Sequence, residues 1–77
     1  MATKDLLRAF GEEIRARRAA RDMSQEKLAE RAGLHRNFIG LVERGQRNPT
    51  LLTMAAIAAA LKTAVSELLV AAERRSR

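Results

Sequence analysis

The chain has 77 residues, enough for one small domain, with 47% hydrophobic residues, no cysteine and a single histidine, His35. That composition excludes a disordered chain, a disulfide framework or thiolate metal site, and a typical zinc site, since one histidine supplies too few ligands. The net charge of +6 and pI near 11.3 suit a polyanionic partner, either nucleic acid through counterion release or an anionic membrane surface, although the same charge could serve solubility alone.

The helix formers alanine, leucine, glutamate and arginine dominate, and no β-branched alternation or Asn-Gly hairpin signal is present. An all-α fold is therefore expected. The first helix is predicted from about Asp5 to Arg21, with Leu7, Phe10, Ile14 and Arg18 at helical spacing. A second starts after Ser24, a good N-cap, and runs to about Arg31 with Leu28 and Ala29 inward. Lys27 stands three residues beyond the cap, so no capping box forms. Ala32-Gly33-Leu34 reads as a tight turn. A third helix spans about Arg36 to Arg44 and stops at Gly45, with His35 as a poor N-cap. After the loop Gln46–Pro49, Thr50 caps a fourth helix over about Leu51–Leu61, whose inner face is Met54, Ile57, Ala58 and Leu61. Ser66 is expected to cap a short fifth helix carrying Leu68 and Leu69, and the charged tail 73–77 is expected to fray. The expected core thus covers about residues 5–72, with the motif at 24–44.

No apolar run approaches the ~20 residues of a bilayer span, and the start Met1-Ala2-Thr3-Lys4-Asp5 lacks signal-peptide features. A cytoplasmic location is the expectation. A domain this small is marginally stable alone, and without a staple it relies on oligomerisation or good helix packing.

Two short helices joined by a glycine-containing turn form a helix-turn-helix unit, in which the second helix lies in the DNA major groove and reads base edges. The outer face of the third helix gathers Arg36, Asn37, Gly40, Leu41 and Arg44 by helical spacing. Arg36 suits guanine O6 and N7, and Asn37 suits adenine N6 and N7. Gly40 would admit close backbone approach, and Leu41 would pack on a thymine methyl. Arg44 is placed for a phosphate. Each side chain alone has a plainer explanation. Arg36 and Arg44 could be a solvated helix face, Leu41 and Phe38 could be core or dimer contacts, and His35 could be a weak cap or a phosphate donor. The weight rests on the constellation.

Residues 24–61 resemble the phage-repressor-like helix-turn-helix family, whose largest group is the xenobiotic-response-element regulators. The matching string is Gln25, Leu28, Ala29, Ala32, Gly33, Leu34, Ile39, Val42, Glu43, Gly45, Arg47, Pro49, Thr50, Ile57, Ala58 and Leu61. The resemblance implies a five-helix, lambda-repressor-like domain and base reading by Arg36, Asn37, Gly40 and Leu41. It implies backbone contacts by Gln25, Arg47 and Asn48, which His35, Phe38 and Arg44 would join. It also implies a buried pair between Arg18 and Glu43, a device for fixing helix orientation. Within the family, the stretches Leu34–Gly40 and Glu43–Asn48 resemble the controller proteins of restriction–modification systems, with Asn37 and Phe38 standing where Thr or Ser and Tyr are usual. Those are stand-alone dimers that occupy tandem palindromic sites and control their own operon.

One recognition helix covers few base pairs, so a homodimer on half-sites a helical turn apart is expected. Leu51, Leu52, Val65, Leu69 and Val70 are candidates for its interface, unless they complete the monomer core. No catalytic constellation or phosphate-cradling glycine loop is evident, so no enzyme activity, cofactor, metal or small-molecule ligand is expected. The competing class is an antitoxin-like or partner-binding protein whose main ligand is another protein. A membrane-surface role is disfavoured because the apolar residues are divided among short helices suited to a core.

Overall fold

The computed structural model describes residues 2–77. Five helices follow one another: α1 Thr3–Ala20, α2 Gln25–Ala32, α3 Arg36–Glu43, α4 Leu51–Ala60 and α5 Val65–Arg75. There is no strand among the described residues, as the composition implied.

Local chemistry sets most boundaries. Ser24 accepts from the Lys27 backbone N–H at 3.0 Å and Thr50 accepts from that of Thr53 at 3.1 Å, so both expected caps form. α2 ends on Gly33 in the left-handed region at φ +69, and the Leu34 N–H closes the turn on the Ala29 carbonyl at 2.8 Å. Ala32 is the last helical residue of α2, so the turn proper is Gly33–His35, one residue later than expected. α1 and α4 end by the same device without glycine: Asp22 and Lys62 sit at φ 53 and 57, and the N–H groups of Met23 and Thr63 return to the Arg18 and Ala58 carbonyls at 3.0 and 2.9 Å.

Ile14, Leu28, Ile39, Val42, Ile57 and Leu68 are the largest fully buried side chains, and each of the five helices contributes at least one of them. The core is therefore one body rather than two layers that could slide. α1 is the central strut, lying against both α3 and α5. It crosses α3 so closely that a Cβ on Gly11 would collide with the Val42 carbonyl oxygen and lie 2.6 Å from that of Glu43. Only glycine permits that approach.

The fifth helix differs from expectation. Its N-cap is Ala64, without a side-chain hydrogen bond, and Ser66 lies inside the first turn. The helix then continues through Arg75 rather than fraying at Glu73. Arg75 supplies the reason: its Nε donates to Glu13 Oε1 of α1 at 2.8 Å. Glu13 Oε2 accepts from Arg17 Nε at 2.6 Å, Arg17 Nη1 donates to Thr63 Oγ1 at 3.0 Å, and Thr63 donates to Glu67 at 3.0 Å. Both ends of α5 are thereby fastened to α1. Burial alone would raise the Glu13 carboxyl, but hydrogen bonds from Arg75 and Arg17, with their charges, outweigh it and hold it below the usual carboxylate range.

Candidate nucleic-acid interface

The α2–turn–α3 unit presents the outer face of α3, and a second carboxylate fixes its orientation. Glu43, buried at the end of α3, takes a forked contact from Arg18, Nε to Oε2 at 2.6 Å and Nη2 to Oε1 at 3.1 Å. Arg18 Nη1 also donates to the Met23 carbonyl at 2.7 Å, bracing the turn between α1 and α2. The expected Arg18–Glu43 pair is present. A third donor joins it: Gln25 Nε2 reaches Glu43 Oε1 at 2.9 Å. One carboxylate thus ties α1, α2 and α3 together. No buried side-chain polar atom among the described residues lacks a partner, the condition under which a buried charge network orders a structure.

Above this hub, Gln25, Arg36, Asn37, Gly40, Leu41 and Arg44 line a single hollow of about 400 Å³. All four residues expected to read bases lie there, with two of those expected on the backbone. None of the six is acidic. Arg36 and Asn37 are exposed at the N-terminal end of α3, and Leu41 is half-buried. Gly40 is itself buried: the position of a Cβ on it lies 3.2 Å from Arg44 Nη1 and 3.8 Å from Gln25 Nε2. These two flexible polar side chains cover the glycine, so close approach to its backbone requires them to part. Arg44 Nε donates to Gln46 Oε1 at 3.2 Å. Gln25 keeps one of its two amide hydrogens beyond the bond to Glu43.

The remaining expected contacts, His35, Phe38, Arg47 and Asn48, are not part of that lining. His35 is exposed and makes no side-chain cap bond. Phe38 is half-buried and packs on the core, and its ring carries the Arg47 guanidinium at 5.5 Å. Sequence spacing did not reveal that stack, since the two residues belong to different elements. Arg47 and Asn48 are exposed, and Pro49 is buried and anchors their loop. Arg36 and Arg44 bring two guanidinium groups to the hollow, and Arg47 is a further exposed cation in the loop beyond α3, chemistry suited to an anionic ligand.

The apolar candidates divide. Leu51, Leu52 and Val70 are 66%, 82% and 45% exposed, whereas Val65 and Leu69 are half-buried against the core. No single helix among the described residues is long and apolar enough to cross a membrane.

Residues 14–68 match the helix-turn-helix family model. The control protein C.SmaI of Serratia marcescens is 48% identical over 84% of this chain and 77% of its own length. The control protein C.BamHI of Bacillus amyloliquefaciens is 40% identical over 87% of this chain and 84% of its own. Among solved structures, the restriction–modification controller protein C.AhdI from Aeromonas hydrophila superposes with a TM-score of 0.79 at 45% identity, covering 80% of this chain and 94% of that one. The protein belongs to the helix-turn-helix family, with restriction–modification controller proteins among its relatives.

Proposed function

We propose that the protein is a transcriptional regulator that binds double-stranded DNA sequence-specifically as a homodimer on palindromic operators in the cytoplasm, and that it controls a restriction–modification operon. The observation that carries this reading is the hollow on α3, where Arg36, Asn37, Gly40 and Leu41 share one non-acidic surface with the backbone-directed Gln25 and Arg44. Arg36 and Asn37 read bases by bidentate contacts, Leu41 packs on a thymine methyl, and Gln25, His35, Arg44, Arg47 and Asn48 hold the register on the backbone. The resemblance to control proteins C.SmaI and C.BamHI supports the restriction–modification setting.

The size of α3 supports the dimer. Eight residues at 1.5 Å each span about 12 Å, against roughly 34 Å for a turn of DNA, so one copy reads only part of a turn. Leu51, Leu52 and Val70 give a second copy apolar surface to cover, with Val65 and Leu69 at its edge. Occupancy then follows protein concentration, through dimerisation and the loading of tandem dimers on adjacent sites, and the reading includes no cofactor, small-molecule effector or catalytic step.

Selection of bound duplexes from a random pool at moderate salt tests this. The expected result is a palindrome with half-sites about a helical turn apart. Binding that enriches nothing and vanishes as salt rises would leave only non-specific electrostatics and would favour a protein ligand instead.

A further inference from the structure

We propose that Phe38 is a positioning residue that holds Arg47 ready for a DNA phosphate, rather than a DNA contact in its own right. The inference rests on reading the α3 face as the DNA-binding surface. Phe38 stands between Asn37, exposed on that face, and Ile39, fully buried. Its ring is half-buried and packs on the core, so it is a fixed platform. Arg47 lies beyond the end of α3 in the loop that the buried Pro49 anchors, and its guanidinium carbon is 5.5 Å from the ring centroid. Arg44 spends its Nε on Gln46; Arg47 makes no side-chain hydrogen bond or ion pair among the described residues, and the stack is what orders it.

Stacking has a specific advantage for this role. A cation–π contact holds the guanidinium through its charge and uses none of its N–H donors. The side chain is thus ordered before binding with its phosphate-recognising edge unspent, which lowers the conformational entropy lost on complex formation. The platform is built into the recognition helix, so Arg47 keeps a fixed relation to Arg36 and Asn37.

The test uses the full chain and a duplex of mixed sequence, because a phosphate contact is independent of base order. Arg47→Ala should lower the slope of log affinity against log salt by about one. Phe38→Leu should weaken binding roughly three- to ten-fold, Phe38→Tyr should restore it, and Phe38→Leu should add nothing in the Arg47→Ala background. The chain has no tryptophan or tyrosine, so Phe38→Trp gives a sole fluorophore, and Arg47→Ala should change its emission in the free protein. Equal losses from Phe38→Leu with and without Arg47, or unchanged emission, would overturn the positioning role while leaving the DNA-binding face intact. An Arg47→Ala protein with unchanged affinity and salt slope would overturn both the role and the assignment of Arg47 to DNA.

Discussion

Two mostly buried carboxylates organise this molecule, and they have different tasks. Glu43 sits beneath the recognition surface and accepts from Arg18 and Gln25, joining α1, α2 and α3. Glu13 sits on another part of α1 and accepts from Arg17 and Arg75, clamping α5 to the same strut. The Glu43 side chain is 3% exposed with its arginine at 15%, whereas Glu13 is 12% exposed and its arginines are 32% and 40%. The contrast teaches that a small all-helical domain without disulfides can divide its orientation problem between two ionic nodes. The drier one fixes the angle of α3 against α1 and α2, and the wetter one holds α5 to the frame.

The largest effect is expected at the drier node. Glu43→Ala leaves the Arg18 guanidinium buried without its counter-charge, and should cost about 3–5 kcal/mol in urea unfolding. Glu43→Gln should bind DNA less well even under conditions where it is folded, because an amide keeps one acceptor oxygen where Arg18 and Gln25 together use both carboxylate oxygens. Gly11→Ala attacks the same helix pair by sterics, forcing α1 away from the α3 carbonyls. It should lower stability by about 1–3 kcal/mol or more, seen as a fall in the denaturation midpoint.

At the wetter node, Glu13→Ala should cost about 1–2 kcal/mol, since its partners are partly solvated, and should leave the DNA affinity of the folded protein unchanged. A larger loss at Glu13 than at Glu43 would reverse the ranking. The pH dependence follows with its sign. The folded carboxyl of Glu13 titrates below its unfolded value, so its stabilisation is fully present above about pH 4.3 and is lost as the pH falls through the lower folded value. An acid titration of thermal stability should show this loss in the parent protein and a smaller one in Glu13→Gln.

The smallest effect on folding is expected far from both nodes. Leu52 is 82% exposed, so Leu52→Lys should change monomer stability by no more than about 0.5 kcal/mol. Sedimentation should nevertheless show a shift toward monomer, and an unchanged association constant would remove Leu52 from the proposed interface.

The two nodes also differ in how far they could be read from the chain. The Arg18–Glu43 pair follows from the family resemblance, and the shared outer face of α3 follows from helical spacing, because Ser24, Gly33 and Thr50 mark the boundaries that set the phase of α2, α3 and α4. The Glu13 clamp was missed. Glu13 and Arg17 stand at a readable i, i+4 spacing, but Arg75 is 62 residues from Glu13, and a charged terminus reads locally as a solvated tail. The start of α5 escaped for a related reason: Ala64 caps nothing with its side chain, while Ser66 imitates a cap two residues too late. Val65 and Leu69 could not be sorted from Leu51 and Leu52 because an apolar residue has the same local signature facing its own core or a partner. The Phe38–Arg47 stack joins a helix to a loop, where no periodicity applies.

The division between an orienting hub and a reading face is tested most directly on the face itself. Arg36→Ala and Arg44→Ala should be titrated against the selected operator and its single-base variants. Arg36→Ala should lose about 1–3 kcal/mol on the operator and become indifferent to the base at one position in each half-site. Arg44→Ala should weaken every duplex alike and reduce the salt slope by about one. If Arg36→Ala instead weakened all duplexes equally, leaving the base preferences intact, α3 would not be reading sequence through Arg36.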